Sequence, residues 1–139
     1  MSAEQLLGSV SDDDLIIVAD LEAGIGTLTR LAESAVDVTI VVTEPTPRSI
    51  DVGQRAVVVA EQQTQGRVII IGNKVVETTD RDRLIEAFPG REIVMVPYDA
   101  HVGAADRSGD SVVDVAPDAP AVRAIEALAD SLLDDAPKD

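Results

Sequence analysis

The residues best suited to chemistry sit where an apolar run meets a small-residue loop. Asp14–Asp20 reads DLIIVAD and continues without a break into Leu21-Glu22-Ala23-Gly24-Ile25-Gly26, ahead of a helical pattern. A carboxylate at the carboxyl end of a parallel strand faces the mouth of the sheet, where ligands of open α/β folds bind. Asp20 in that place can hold a water on Mg²⁺ once a nucleotide is bound, Glu22 adds a second carboxylate, and Gly24 lets a backbone N–H approach a phosphate. The same residues also make a plain strand-to-helix turn with an acidic cap. Residue types alone leave both readings open.

The elements that must position this loop can be read from apolar periodicity. Four short apolar runs, Asp14–Asp20, Val38–Glu44, Arg67–Gly72 and Glu92–Tyr98, are rich in β-branched residues and bounded by loop signals, which predicts strands. Helical periodicity separates them. Thr27–Ala35 is short; Pro47–Gln63 puts Ile50, Val57 and Ala60 on one face; Arg81–Ala87 stops before Pro89-Gly90. Pro120–Leu133 carries Val122, Ile125, Leu128 and Leu132 as an apolar stripe, with Asp118 or Ala119 as its cap. Strand and helix alternation predicts one α/β domain over residues 1–139, with a Rossmann-like parallel sheet of four to five strands between flanking helices. Ser111–Val113 supplies the short fifth strand, and residues 134–139 fray.

Composition narrows the function classes. The chain has 139 residues, one Phe, one Tyr and no Trp, so its core must be built from Val, Ile, Leu and Ala. A formal net charge of −15 argues against nucleic acid and anionic membrane surfaces as partners. Arginine outnumbers lysine nine to two, a pattern of high-GC genomes or of salt-adapted acidic surfaces, and it says nothing about the reaction. Without cysteine there is no disulfide, thiolate metal site or thiol nucleophile. No basic leader with an apolar core opens the chain and no apolar run approaches about 18 residues, so the expected location is the cytoplasm. His101, the one histidine, is expected to face solvent or pack, and Tyr98 to pack at its strand end. Asp106 and Asp110 are expected to be hydrated carboxylates.

Four segments in order resemble the MinD/CooC-like P-loop ATPases. DLEAGI (Asp20–Ile25) is similar to the Walker B and switch II segment of the carbon-monoxide-dehydrogenase maturation type. VVTEPTPRSI (Val41–Ile50) resembles the strand in which Glu-Pro precedes the next helix, and IIIGNKV (Ile69–Val75) the strand ending in Asn-Lys. VMVPYDAHVGAADRSGDSVVD (Val94–Asp114) resembles the late segment that begins Pro-Tyr-Asp. The likeness runs from about residue 14 to 134. It implies that Asn73, with Pro97 and Asp99, lies on the adenine side of a nucleotide, and that Asp20, Glu22 and Gly24 are the remnant of the catalytic loop.

The Walker A element of that family, a glycine-rich loop ending Gly-Lys-Ser/Thr, is not in this sequence. Its two lysines are Lys74, in the Asn-Lys segment, and Lys138, in the tail. Phosphoryl transfer rests on positioning and charge stabilisation of the phosphates, so the chain alone is expected to bind no cofactor and hydrolyse no ATP. The upstream metal-binding cysteines of the maturation type are missing as well.

In the resembled family the P-loop strand lies between the Walker B strand and the strand matching Val38–Glu44. Its loss predicts either that these neighbours close up, the simpler outcome, or that another chain fills the gap. It also uncovers one face of the sheet, which the Ala3–Val10 segment and the C-terminal helix can cover only in part. The expectation is therefore a homodimer, or a heterodimer with a P-loop-bearing relative. Two functions follow: a non-catalytic regulatory or interaction module, or half of a split ATPase that binds Mg-ATP only with its partner.

Overall fold

The computed structural model describes residues 16–20, 36–63 and 66–135. Within them, three strands form one parallel sheet in the order β1 (Val38–Thr43), β2 (Arg67–Val75), β3 (Ile93–Pro97). Helix α1 (Pro47–Gln63) links β1 to β2 and α2 (Thr78–Ala87) links β2 to β3. After β3 come α3 (Ala100–Ser108), the single-turn α4 (Val112–Val115) and α5 (Pro120–Asp134).

Both crossovers step the same way, so α1 and α2 fall on one face of the sheet. That face is packed by Val41, Ile70, Ile50, Val57, Leu84 and Phe88. The opposite face carries Ile69, Ile71 and Val96, covered by Ala121 and Leu128 of α5. In-register pairing explains the division: Ile40 sits beside Ile69, Val41 beside Ile70 and Val42 beside Ile71. Paired residues of parallel strands point the same way, so Ile40 and Val42 share the α5 face. Helix α5 lies over β2 and β3, and only Val38 of that β1 row packs against it. Ile40 and Val42 stay 42% and 59% exposed.

The expected α/β class and three of the four expected strands are present. The fourth, Asp14–Asp20, is corrected where it is described: residues 16–20 form no strand, and Ile16 and Val18 are 70% and 90% exposed. A strand needs a neighbour for its backbone N–H and C=O groups, and β1 pairs among the described residues only with β2. The expected closing-up of that run onto β1 therefore does not occur there. Ser111–Val113 is also no strand, since Val112–Val115 turns into α4. The Ala3–Val10 and Thr27–Ala35 segments, Glu22 and Gly24 lie outside the described residues.

Two elements differ in extent. β2 runs past Gly72 to Val75 through a register shift, with Lys74 at φ 57, the one non-glycine residue at positive φ among those described. Helix α2 begins at Thr78, where Asp80 Oδ2 accepts the N–H of Val76 at 3.0 Å. The buried stripe of α1 matches expectation, with Ile50, Val57 and Ala60 all buried. On α5 the expected stripe is buried or packed at Val122, Leu128 and Leu132, Ala121 and Ala124 join the contact row, and Ile125 is exposed. The small alanines let that helix sit close to the sheet, so the larger Ile125 at its flank is left to solvent.

Candidate functional site: the carboxyl edge of the sheet

The three strands end side by side, and their last residues form one edge. β1 ends in Thr43-Glu44, β2 in Asn73-Lys74-Val75, and β3 in Pro97-Tyr98-Asp99. Val75 is in register with Pro97, and Tyr98 donates its N–H to Val75 O at 2.9 Å. Asn73 and Pro97, placed together by resemblance, therefore end neighbouring strands, and both are half-buried.

The β1 end is fixed by hydroxyls. Ser49 Oγ, in the first turn of α1, accepts the Glu44 N–H at 2.9 Å and lies 3.2 Å from the buried Thr43 Oγ1. Thr46 Oγ1 in turn accepts the Ser49 N–H at 3.3 Å. Arg83 of α2 donates to Pro45 O at 2.9 Å, which holds the Glu-Pro turn against the next crossover.

Glu44 and Lys74 bridge the ends of β1 and β2 at 2.6 Å. The hydrogen bond and charge of Glu44 hold the Lys74 ammonium above the ordinary lysine range. Sequence reading missed this pair. Its signal is an acidic residue one place beyond β1 and a basic one two places beyond the register partner of Thr43, Gly72. Gly72 itself admits no side chain, because a Cβ there would meet Leu84 Cδ1 at 2.5 Å and Met95 Sδ at 2.9 Å.

Asp99 is a helix cap. Its Oδ1 accepts the His101 N–H at 3.0 Å and lies 2.8 Å from His101 Nδ1, and its Oδ2 accepts the Ala121 N–H at 3.1 Å. The carboxylate is 4% exposed and caps α3 and α5 together. Those bonds, the one from Ala121 first, hold its carboxyl below the usual aspartate range. An Asp just ahead of a helical run carries an N-cap signature; the second helix it reaches has no sequence signal. Tyr98, expected to pack, is 62% exposed over the edge. His101, at 64%, faces solvent as expected, its ring held by Asp99.

Asp20 is exposed, and no hydrogen bond or ion pair joins it to this edge among the described residues. Asp106 and Asp110 are exposed. No group of three or more potential metal ligands occurs among the described residues. The strand ends thus form an open, partly polar shelf at the carboxyl edge of the sheet. An open cleft of about 430 Å³ lined by Arg81, Phe88, Pro89, Arg91, Ile93 and Met95 includes none of these residues. No helix among the described residues is long and apolar enough to cross a membrane.

No protein-family model matches the chain. Over 133 residues, 94% of its length, it is 32% identical to an uncharacterized ATP-binding protein of Methanocaldococcus jannaschii. The chain spans about half the length of that curated relative, 50% of it. This α/β chain with a parallel sheet is therefore similar to one half of a nucleotide-binding protein.

Proposed function

We propose that the chain is half of a split ATPase of the MinD/CooC-like type, inactive alone, that docks on a P-loop-bearing partner. In that association it contributes the base side of a Mg-ATP site, through Asn73, Pro97 and the exposed face of Tyr98. Asp20 and Glu22 would hold a water on Mg²⁺ there, and Gly24 would face the phosphates. The observation that carries this reading is the match of nearly the whole chain to half of an ATP-binding protein. The open shelf at the carboxyl ends of the strands, where Asn73 and Pro97 end neighbouring strands, supports it.

A second reading is favoured by Asp99. Both of its oxygens are engaged in helix caps and its side chain is 4% exposed, so one of the three residues assigned to the adenine side by resemblance is committed to holding the fold. On that reading the module keeps its docking surface and regulates its partner without taking nucleotide.

Hydrolysis by the recovered assembly separates the two. A split ATPase turns over Mg-ATP and loses turnover with Asp20→Asn, while partner binding is unchanged. A regulatory module shows the same activity with wild type and Asp20→Asn.

A further inference from the structure

Helix α2 packs over β2, where Leu84 closes on Gly72, and this leaves a furrow between its outer flank and β3. Ile93 and Met95 alternate along β3 on the α2 side of the sheet and are only half-buried. Ile85, next to Leu84, borders the furrow and is 45% exposed, and Arg81 lies one turn earlier on the same helix face. Phe88-Pro89-Gly90-Arg91 closes one end, with Gly90 at φ 71 and the Arg91 N–H donating to Phe88 O at 3.3 Å. Together they line the open cleft of about 430 Å³. It lies toward the amino end of β3, away from the shelf at Pro97 and Tyr98. Its lining, from Arg81 to Met95, comes from well inside the continuous described stretch 66–135.

Two guanidinium groups border this apolar floor. Glu61 holds Arg91 through Nε at 2.8 Å and Nη2 at 3.1 Å, so Nη1 keeps its N–H donors among the described residues. Arg55, Arg67, Arg83, Arg91 and Arg123 are each paired with a carboxylate. With 26 acidic residues against 11 basic ones carboxylates are plentiful, yet none reaches the Arg81 side chain among the described residues.

We propose that this cleft binds a small organic acid, a carboxylate joined to a compact apolar body. The body lies on Phe88, Ile93 and Met95, and the carboxylate takes N–H donors from Arg81 and from Arg91 Nη1. Guanidinium forks match the planar carboxylate, and the volume is in the range of small-molecule sites. A protein segment fits less well. An interface of ordinary size covers about 800 Å² on each partner, and the residues interleaved with the lining, Asp82, Glu86 and Glu92, are exposed carboxylates. The net charge of −15 opposes any anion. A monoanion in contact with two guanidinium groups feels those first, because charges beyond about 8 Å are screened at physiological salt.

The test titrates indole-3-acetate into the full, isotope-labelled chain at physiological salt and follows the amide chemical shifts. Saturable binding with a dissociation constant of about 1 mM or tighter is expected, with shifts centred on Ile85, Gly90 and Met95. Indole-3-acetamide keeps the ring without the charge, and acetate keeps the charge without the ring; each should bind at least about tenfold more weakly. Arg81→Gln should weaken indole-3-acetate at least about tenfold and leave the melting temperature unchanged, since Arg81 is exposed. Absence of saturable shifts, shifts centred elsewhere on the chain, equal binding of the acetamide, or an unchanged affinity in Arg81→Gln would each overturn the proposal.

Discussion

Asp99 Oδ2 accepts the backbone N–H of Ala121, 22 residues further along the chain, at 3.1 Å. Through that bond the residue that ends β3 and caps α3 also holds the start of α5, whose own cap residue, Ala119, has no side-chain acceptor. One carboxylate thereby fixes the helix that covers the second face of the sheet.

Asparagine is ordinarily as good a cap as aspartate, but it has one acceptor oxygen where Asp99 uses two. Asp99→Asn should therefore lower the urea midpoint at pH 7, and Asp99→Ala should lower it further. Equal midpoints for wild type and Asp99→Asn would refute the double cap.

The pH dependence follows from the same bonds. The folded-state pKa of Asp99 is depressed, so its contribution is fully present above the unfolded value near 3.8 and is lost as pH falls through the folded value. Glu61, lowered by its hydrogen bond to Arg91, adds a loss of the same sign. Urea midpoints of the wild type should fall between pH 5 and pH 2, and those of Asp99→Ala should fall less.

Gly72 lies close beneath Leu84 of α2 and beside Met95 of β3. Gly72→Ala forces its methyl group against Leu84 and Met95 and should cost about 1–3 kcal/mol. Leu84→Ala empties a fully buried site and should cost about 2–5 kcal/mol. Because the new methyl partly fills that space, the double variant should be more stable than the sum of the two single changes implies. Simple additivity in denaturant titrations would show that the contact is not tight.

How much of this was legible beforehand depends on the range of the interaction. β1, β2 and β3 were readable because β-branched runs state their own preference, and α1 because Ile50, Val57 and Ala60 repeat at helical spacing. Asp14–Asp20 has the same composition as those strands, but a strand exists only beside another, and nothing local reveals whether a neighbour is present. On α5 the stripe holds at Val122, Leu128 and Leu132 and fails at Ile125, because Ala121 and Ala124, which pack on the sheet, look like filler beside it. The reach of Asp99 to Ala121 and of Glu44 to Lys74 are tertiary facts. At the site, the adjacency of the strand ends that carry Asn73 and Pro97 follows from the strand order, whereas the capping role of Asp99 depends on where α5 packs.

Lys74 holds a left-handed backbone conformation that favours glycine. Lys74→Gly and Lys74→Ala both remove the pair with Glu44, but only the first relieves the backbone. Lys74→Gly should therefore melt above Lys74→Ala. The reverse order would mean that the register shift at the end of β2 carries no backbone strain.

The proposed role in a shared Mg-ATP site is open to calorimetric titration. The chain alone should give no heat of binding with Mg-ATP, and the chain joined to a P-loop-bearing partner should give saturable binding that Asn73→Ala weakens. Saturable Mg-ATP binding by the isolated chain would contradict the proposal.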